Sequence, residues 1–468
     1  MTQKEQSSRL GDEPIPKLLR RLSIPAIIGM LVMSLYNVVD TIFISIFVGI
    51  DGVAAVTLAF PIMIIMMALA AALGMGGASV ISRRLGEQRQ QEANRVFSNI
   101  ITMVLVFSML GIAASFTLLE PALRIFGAQE SILTLAHSYI FPITMATLFF
   151  TFSFTTNAII RSEGNARFAM MTMIIPSVMN ILLDPVFIVW LDMGVQGASI
   201  ATVISQASVS FIVLYYFLAG RSSLFIRLSE MMPEWRIVKE VFTIGMPAFV
   251  RQVSGSVMMV AINAMLVQYG GEFYVGVFGI VQRVAMITLM PMMGILQGMQ
   301  PIVGYNYGSG QYARMRETIK LGLKVVTVFS TGVFLLCMIF PSWLMRVFTS
   351  DPAVIDAGTD AMRIIFAVAF VIGIQVISGG LYQALGKAKP ALVLSMARQV
   401  LFLIPLVLIL PPFIGVWGVW LAFPLADVLA LALSCWFLYR DRALFFRRQP
   451  GEDEAEPEEG VDYPASSP

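Results

Sequence analysis

Apolar residues fill this chain in long blocks separated by short polar breaks, without the alternation of half-buried strands. A helix needs about 20 apolar residues to cross a bilayer. Blocks of that length fall at 22–46, 53–82, 96–117, 132–160, 168–190 and 195–219, then at 240–268, 274–303, 318–341, 360–384, 391–411 and 415–439. They predict an all-α polytopic membrane protein of about twelve spans, since a helix satisfies its own backbone groups in lipid.

The pattern also repeats. Ser23-Ile24-Pro25-Ala26 matches Gly245-Met246-Pro247-Ala248 at an offset of 222, and Gly86 matches Gly308 at the same offset. So do Gly164 and Gly386, while Gly194-Val195-Gln196-Gly197 matches Gly415-Val416-Trp417-Gly418 at 221. One offset at four separated landmarks predicts two pseudo-symmetric six-helix lobes. Six is even, so the lobes share one orientation and an axis along the bilayer normal. The expected divisions are an N-terminal segment at 1–21, a first lobe at 22–219, a linker at 220–239, a second lobe at 240–440 and a tail at 441–468. The tail's Glu, Asp, Pro and Ser predict disorder.

Charge sets the orientation. Lys17, Arg20 and Arg21 precede the first span, Arg83, Arg84 and Arg89 follow the second, and Arg161 and Arg167 flank the next break on that side. Arg221, Arg227, Arg236, Arg314, Lys387, Lys389 and Arg440 continue the series, whereas the alternate breaks hold mainly acids. The positive-inside rule then puts both termini, the linker and the tail in the cytoplasm of a multi-pass plasma (inner) membrane protein. The start is polar and lacks a signal-peptide core, so the first span is expected to serve as the signal. At 57% hydrophobic and 13% charged, the chain falls far from the roughly 25% charge of soluble domains. The expected partners are the bilayer and small molecules, not nucleic acid, and the expected state is a monomer. A single histidine, His137, and two cysteines, Cys337 and Cys435, in apolar runs leave little material for a His or thiolate metal site. No cofactor is expected.

Two acids break the apolar pattern: Asp40 in Tyr36-Asn37-Val38-Val39-Asp40, and Asp184 in Asn180-Ile181-Leu182-Leu183-Asp184-Pro185. An ionised carboxylate at mid-bilayer costs at least about 2.5–3.5 kcal/mol, so an acid kept there points to ion movement. Asp40 lies 19 residues after Arg21 and Asp184 lies 17 after Arg167, roughly 28 and 25 Å along outward-running helices. They share a level with Thr202 on the sixth span. Asn180 lies on the Asp184 face and Asn37 on the Asp40 face. Pro185 has no N–H, which frees the Ile181 carbonyl. The predicted cluster of Asp40, Asn180, Asp184 and Thr202 is all oxygen. It would bind Na⁺ or hold a proton, because neighbouring buried carboxylates do not both stay charged without a counterion. The repeat partners of the acids, Ile262 and Leu406, are apolar, so the site is expected in the first lobe alone. In the second lobe, Asp427 is expected to neutralise Arg251 or Arg398. Glu163, in the loop beside Arg161 and Arg167, reads first as a loop ion pair and second as a functional acid.

These residues resemble the multidrug and toxic compound extrusion (MATE) transporters, in the branch of the DNA-damage-inducible F and MepA-type exporters. The resemblance runs from about Pro16 to Arg440. It rests on Ile24-Pro25, Leu35-Tyr36-Asn37-Val38-Val39-Asp40, Ile160-Arg161-Ser162-Glu163-Gly164-Asn165, Asn180 to Pro185 and Gly197 to Thr202. It implies a V of two lobes and export of cationic amphiphiles against H⁺ or Na⁺. It also implies a cation site at Asp40, Asn180, Asp184 and Thr202, a supporting polar network at Tyr36, Asn37 and Asn157, and a hinge at Pro25. Asn263 and Gln375 stand in spans where the NorM-like branch carries acids, and Met33-Ser34 replaces a glutamine of some relatives. Two competing readings are an intramembrane aspartyl protease, though the Gly-x-Gly-Asp pattern is missing, and a lipid-linked oligosaccharide flippase using Arg251, Arg283 and Arg398.

Overall fold

The computed structural model describes residues 3–127 and 129–445; residues 446–468 of the acidic tail lie outside them. The first helices are α1 (Gln3–Asp12), α2 (Ile15–Phe47), α3 (Ile50–Gly86), α4 (Gln90–Ile125), α5 (Glu130–Met145) and α6 (Thr147–Ser162). Then come α7 (Ala166–Asp184), α8 (Gly194–Leu218), α9 (Trp235–Gly270), α10 (Glu272–Gly308), α11 (Tyr312–Ile339), α12 (Pro341–Arg346) and α13 (Pro352–Ile365). The chain ends in α14 (Ile372–Ala384), α15 (Ala388–Met396), α16 (Ile404–Ile409), α17 (Pro411–Ile414), α18 (Val416–Arg440) and α19 (Arg442–Phe445). Among the described residues ten helices are long and apolar enough to cross a membrane, and the spans reach twelve if each of two bent pairs counts as one. The pairs bend by 58° between Ile132–Met145 and Thr147–Ser162 and by 47° between Pro352–Ile365 and Ala369–Ala384. Pro142, which gives up one helical hydrogen bond, lies just before the first bend. Leu10 of α1, Phe445 of α19 and the ends of the arginine-rich breaks, Leu85, Tyr305 and Leu385, cluster at one end of the bundle, called basal below.

Three apolar clusters explain the shape. The largest draws on the basal halves of both lobes, from Leu18, Ile81 and Phe97 to Ile302, Ile319 and Tyr382. Towards the other end the core divides. Ile44, Ala59, Leu123, Tyr139 and Ala198 pack in the first lobe, while Ile262, Phe278, Cys337 and Trp420 pack in the second. The lobes are thus joined at the base and separate above it, which makes a V.

The repeat has a packing cause. Where α3 crosses α10 at the base, a Cβ on Gly86 would strike the Tyr305 carbonyl oxygen, and one on Gly308 would strike the Arg83 carbonyl oxygen. Arg83 and Tyr305 are themselves 222 apart. Each lobe therefore offers a glycine to the backbone of the other, as pseudo-twofold symmetry requires. Higher up, Gly294 and Gly298 of α10 pack closely on Ile27 and Ser23 of α2. These contacts flank Pro25, through which α2 runs as one continuous helix.

The linker is stitched to α4. Asn94 Oδ1 accepts from Phe225 N at 3.2 Å, Ser98 Oγ from Arg227 N at 3.2 Å and Asn99 Oδ1 from Glu234 N at 2.7 Å. Gln90 Nε2 donates to the Ser223 carbonyl at 2.7 Å, and Thr102 Oγ1 to that of Met231 at 2.6 Å.

Candidate functional site

Asp184 closes α7, and at Pro185 the chain widens into a π-helix, Pro185–Trp190. A missing N–H at this point favours such a wide turn. Gly197 of α8 lets the turn approach, since a Cβ there would lie 2.7 Å from the Phe187 carbonyl. Further along α8, Thr202 reaches Asn180. Asn180 Nδ2 donates to Asp184 Oδ1 and to Thr202 Oγ1, each at 3.2 Å. From α2, Asp40 brings its carboxyl close to that of Asp184. Asp184 and Asn180 are buried and Asp40 is half-buried.

Asp40 Oδ1, Asn180 Oδ1 and Asp184 Oδ2 are buried with no hydrogen-bond partner among the described residues. No described Lys, Arg or His sets a charge against either acid. Three free acceptor oxygens in one place present negative charge that a proton or a small cation can neutralise. The four residues expected to form the oxygen cluster do lie together.

A cleft opens beside them, lined by Met33, Tyr36, Phe154, Met173 and Thr202 among others. Its lining mixes apolar side chains with polar groups such as Tyr36, Asn180 and Thr202, a surface that suits an amphiphile. Tyr36 is one turn before Asp40 on α2 and faces this cleft. The Asn37 side chain lies outside the described residues. Asn157 lines the cleft away from the acids and ties α6 to α7. Its Nδ2 donates to the Ala169 carbonyl and to Thr172 Oγ1, each at 2.7 Å, and its Oδ1 accepts from Arg161. Sequence reasoning missed Tyr139, a buried tyrosine of α5 close enough to feel both acids. The one signal was a phenol within an apolar run, and the run does not show which way it faces.

The second lobe differs as expected at Ile262 and Leu406, which pack in its apolar cluster. Asp427 pairs with Arg398, Nε to Oδ1, at 2.6 Å.

Glu163 corrects the sequence reading. It is fully buried and binds the linker instead of Arg161 or Arg167. Ser222 Oγ donates to both carboxylate oxygens at 2.8 Å, and Ser223 donates through N at 2.8 Å and through Oγ at 3.0 Å. Burial pushes this carboxyl up to about 7, against the downward pull of Ser222 and Ser223. The sign follows from linkage: a raised folded-state value stabilises below the unfolded value of about 4.3 and is lost as pH rises through about 7. Glu163→Gln is therefore expected to match wild type in apparent Tm near pH 4.5. By pH 8 it should gain on wild type by up to about 3 kcal/mol. Parallel Tm curves across that window would refute this.

The family model MatE matches this chain at residues 25–186 and again at 247–409. The multidrug export protein MepA of Staphylococcus aureus (strain MRSA252) is 26% identical over 445 residues, covering 94% of this chain and 97% of its own. Among solved structures, the MATE multidrug transporter DinF-BH is 62% identical with a TM-score of 0.88, covering 94% of this chain and 99% of its own. A MATE in the bent conformation is 28% identical at a TM-score of 0.88, covering 94% of this chain and 98% of its own. With two matched halves, ten to twelve candidate spans among the described residues and an acid cluster in the first lobe, this multi-pass membrane protein belongs to the MatE family.

Proposed function

We propose that the protein exports cationic amphiphilic drugs or toxins across the plasma membrane in exchange for H⁺ or Na⁺. The observation that carries this is the set of unpartnered oxygens on Asp40, Asn180 and Asp184 beside a cleft of mixed apolar and polar lining. The basal end faces the cytoplasm, as its arginines require, so the V opens outward. In this state Asp40 and Asp184 exchange charge with the outside. Neutralisation by a proton, or by Na⁺ held on Asp40, Asn180, Asp184 and Thr202, releases the organic cation. The reset towards the cytoplasm bends α2 near Pro25. No cofactor is required, and a monomer contains the whole site.

Membership of a family of two-lobed transporters supports transport over the protease reading. Proteoliposomes given an inward proton gradient or an inward sodium gradient, each alone, are expected to move a cationic dye against at least one of them. Dye movement under neither gradient would refute the antiport.

A further inference from the structure

The first-lobe cleft has a counterpart position in the second lobe, and there the chain places charge. Gln375, Arg398 and Asp427 lie 222 residues after Ser153, Pro176 and Ser205, which all line the first-lobe cleft. At the 221 offset the counterparts are Phe154, Ser177 and Gln206, which line it too. In the second lobe, Arg398 Nε donates to Asp427 Oδ1 at 2.6 Å, and Gln375 Nε2 donates to the Asp427 carbonyl at 2.7 Å. The Asp427 side chain is 1% exposed, whereas 27% of the Arg398 side chain remains accessible. The guanidinium is thus held by one edge. Its Nη1 and Nη2 have no partner among the described residues. That free edge is the planar fork that receives both oxygens of a carboxylate or phosphate.

We propose that Arg398, backed by Asp427 and Gln375, is an oxyanion subsite that takes the carboxylate or phosphate headgroup of an amphiphile. The two lobes then present opposite charge, carboxylates in the first and a guanidinium in the second. This goes beyond cation export and does not depend on it.

The full chain in phosphatidylcholine nanodiscs can be titrated with dodecanoate and, separately, with dodecyltrimethylammonium, which share a tail and differ in headgroup charge. R398Q/D427N removes both charges together and leaves no buried ion unpaired. It is expected to weaken dodecanoate binding by at least about tenfold, as loss of a bidentate charged contact implies, and to leave dodecyltrimethylammonium within about twofold. Asp427→Asn alone is expected to tighten dodecanoate, because no acid competes for the guanidinium. A merely structural pair would weaken both probes or neither. Phosphatidylglycerol added to the discs separates the sources. Competition that vanishes in the double variant assigns the headgroup to lipid, and unaffected dodecanoate binding assigns it to a free amphiphile; each supports the subsite. Unchanged dodecanoate affinity in the folded double variant overturns it.

Discussion

Asp184→Asn is expected to reduce resistance to a cationic amphiphile to that of cells carrying an empty vector. The loss in transport should be at least about 100-fold, or about 2.8 kcal/mol at 1.4 kcal/mol per tenfold. Asp184 is the fully buried member of the acid pair, and its Oδ1 takes the amide of Asn180 at 3.2 Å. Asparagine keeps the shape and removes the charge, so the cleft survives while the cluster no longer exchanges one cation for another. Asp40→Asn should fail in the same way, since its carboxyl shares the site. Asp51→Asn, on an exposed residue at the start of α3, is the control and should retain wild-type resistance. Folded yield after purification guards against simple loss of protein. Wild-type resistance in either site variant, at equal membrane abundance, would remove the acids from the coupling role.

This site was legible because helix geometry is rigid. With a fixed rise per residue, counting from Arg21 and Arg167 was enough to set Asp40 and Asp184 at one level. The break at Pro185 was legible for the same reason, since an imino acid cannot give the missing hydrogen bond. The glycine landmarks were visible as an offset, but their cause was not. Gly86 and Gly308 recur because each meets the opposite lobe's backbone, and Gly164 and Gly386 recur because each helix end turns through positive φ, 87° and 72°. What stayed hidden depends on where a polar chain returns in space. Glu163 stands between Arg161 and Arg167 in the sequence, yet Arg161 turns to Asn157 and the carboxylate is claimed by Ser222 and Ser223. The bend after Pro142 was hidden likewise, because an apolar run carries the same pattern whether it is straight or broken.

Gly86→Ala is expected to be strongly damaging for a change of one methyl group. The added Cβ would strike the Tyr305 carbonyl, which is backbone of α10 and cannot rotate away. Two helices must separate to admit it, and overpacking of this kind costs about 1–3 kcal/mol. The contact sits at the base of the V, where the shared cluster is the main join between lobes. The cost therefore falls on the closed base and shifts the population towards a base-open state. At about 3 kcal/mol the shift is more than 100-fold. Gly308→Ala should reproduce the effect, because it meets the Arg83 carbonyl through the same pseudo-symmetry. Gly279→Ala is the control: it lies on the same helix as Gly308, α10, with nothing within 4 Å of its added Cβ. Spin labels at the exposed basal positions Gln91 and Ala443, with the exposed Cys435 replaced, report the base directly. A longer label-to-label distance in both site variants, and an unchanged one in Gly279→Ala, is the expected pattern. If Gly86→Ala leaves the distance distribution and the apparent Tm at wild-type values, the glycine crossing does not hold the lobes together.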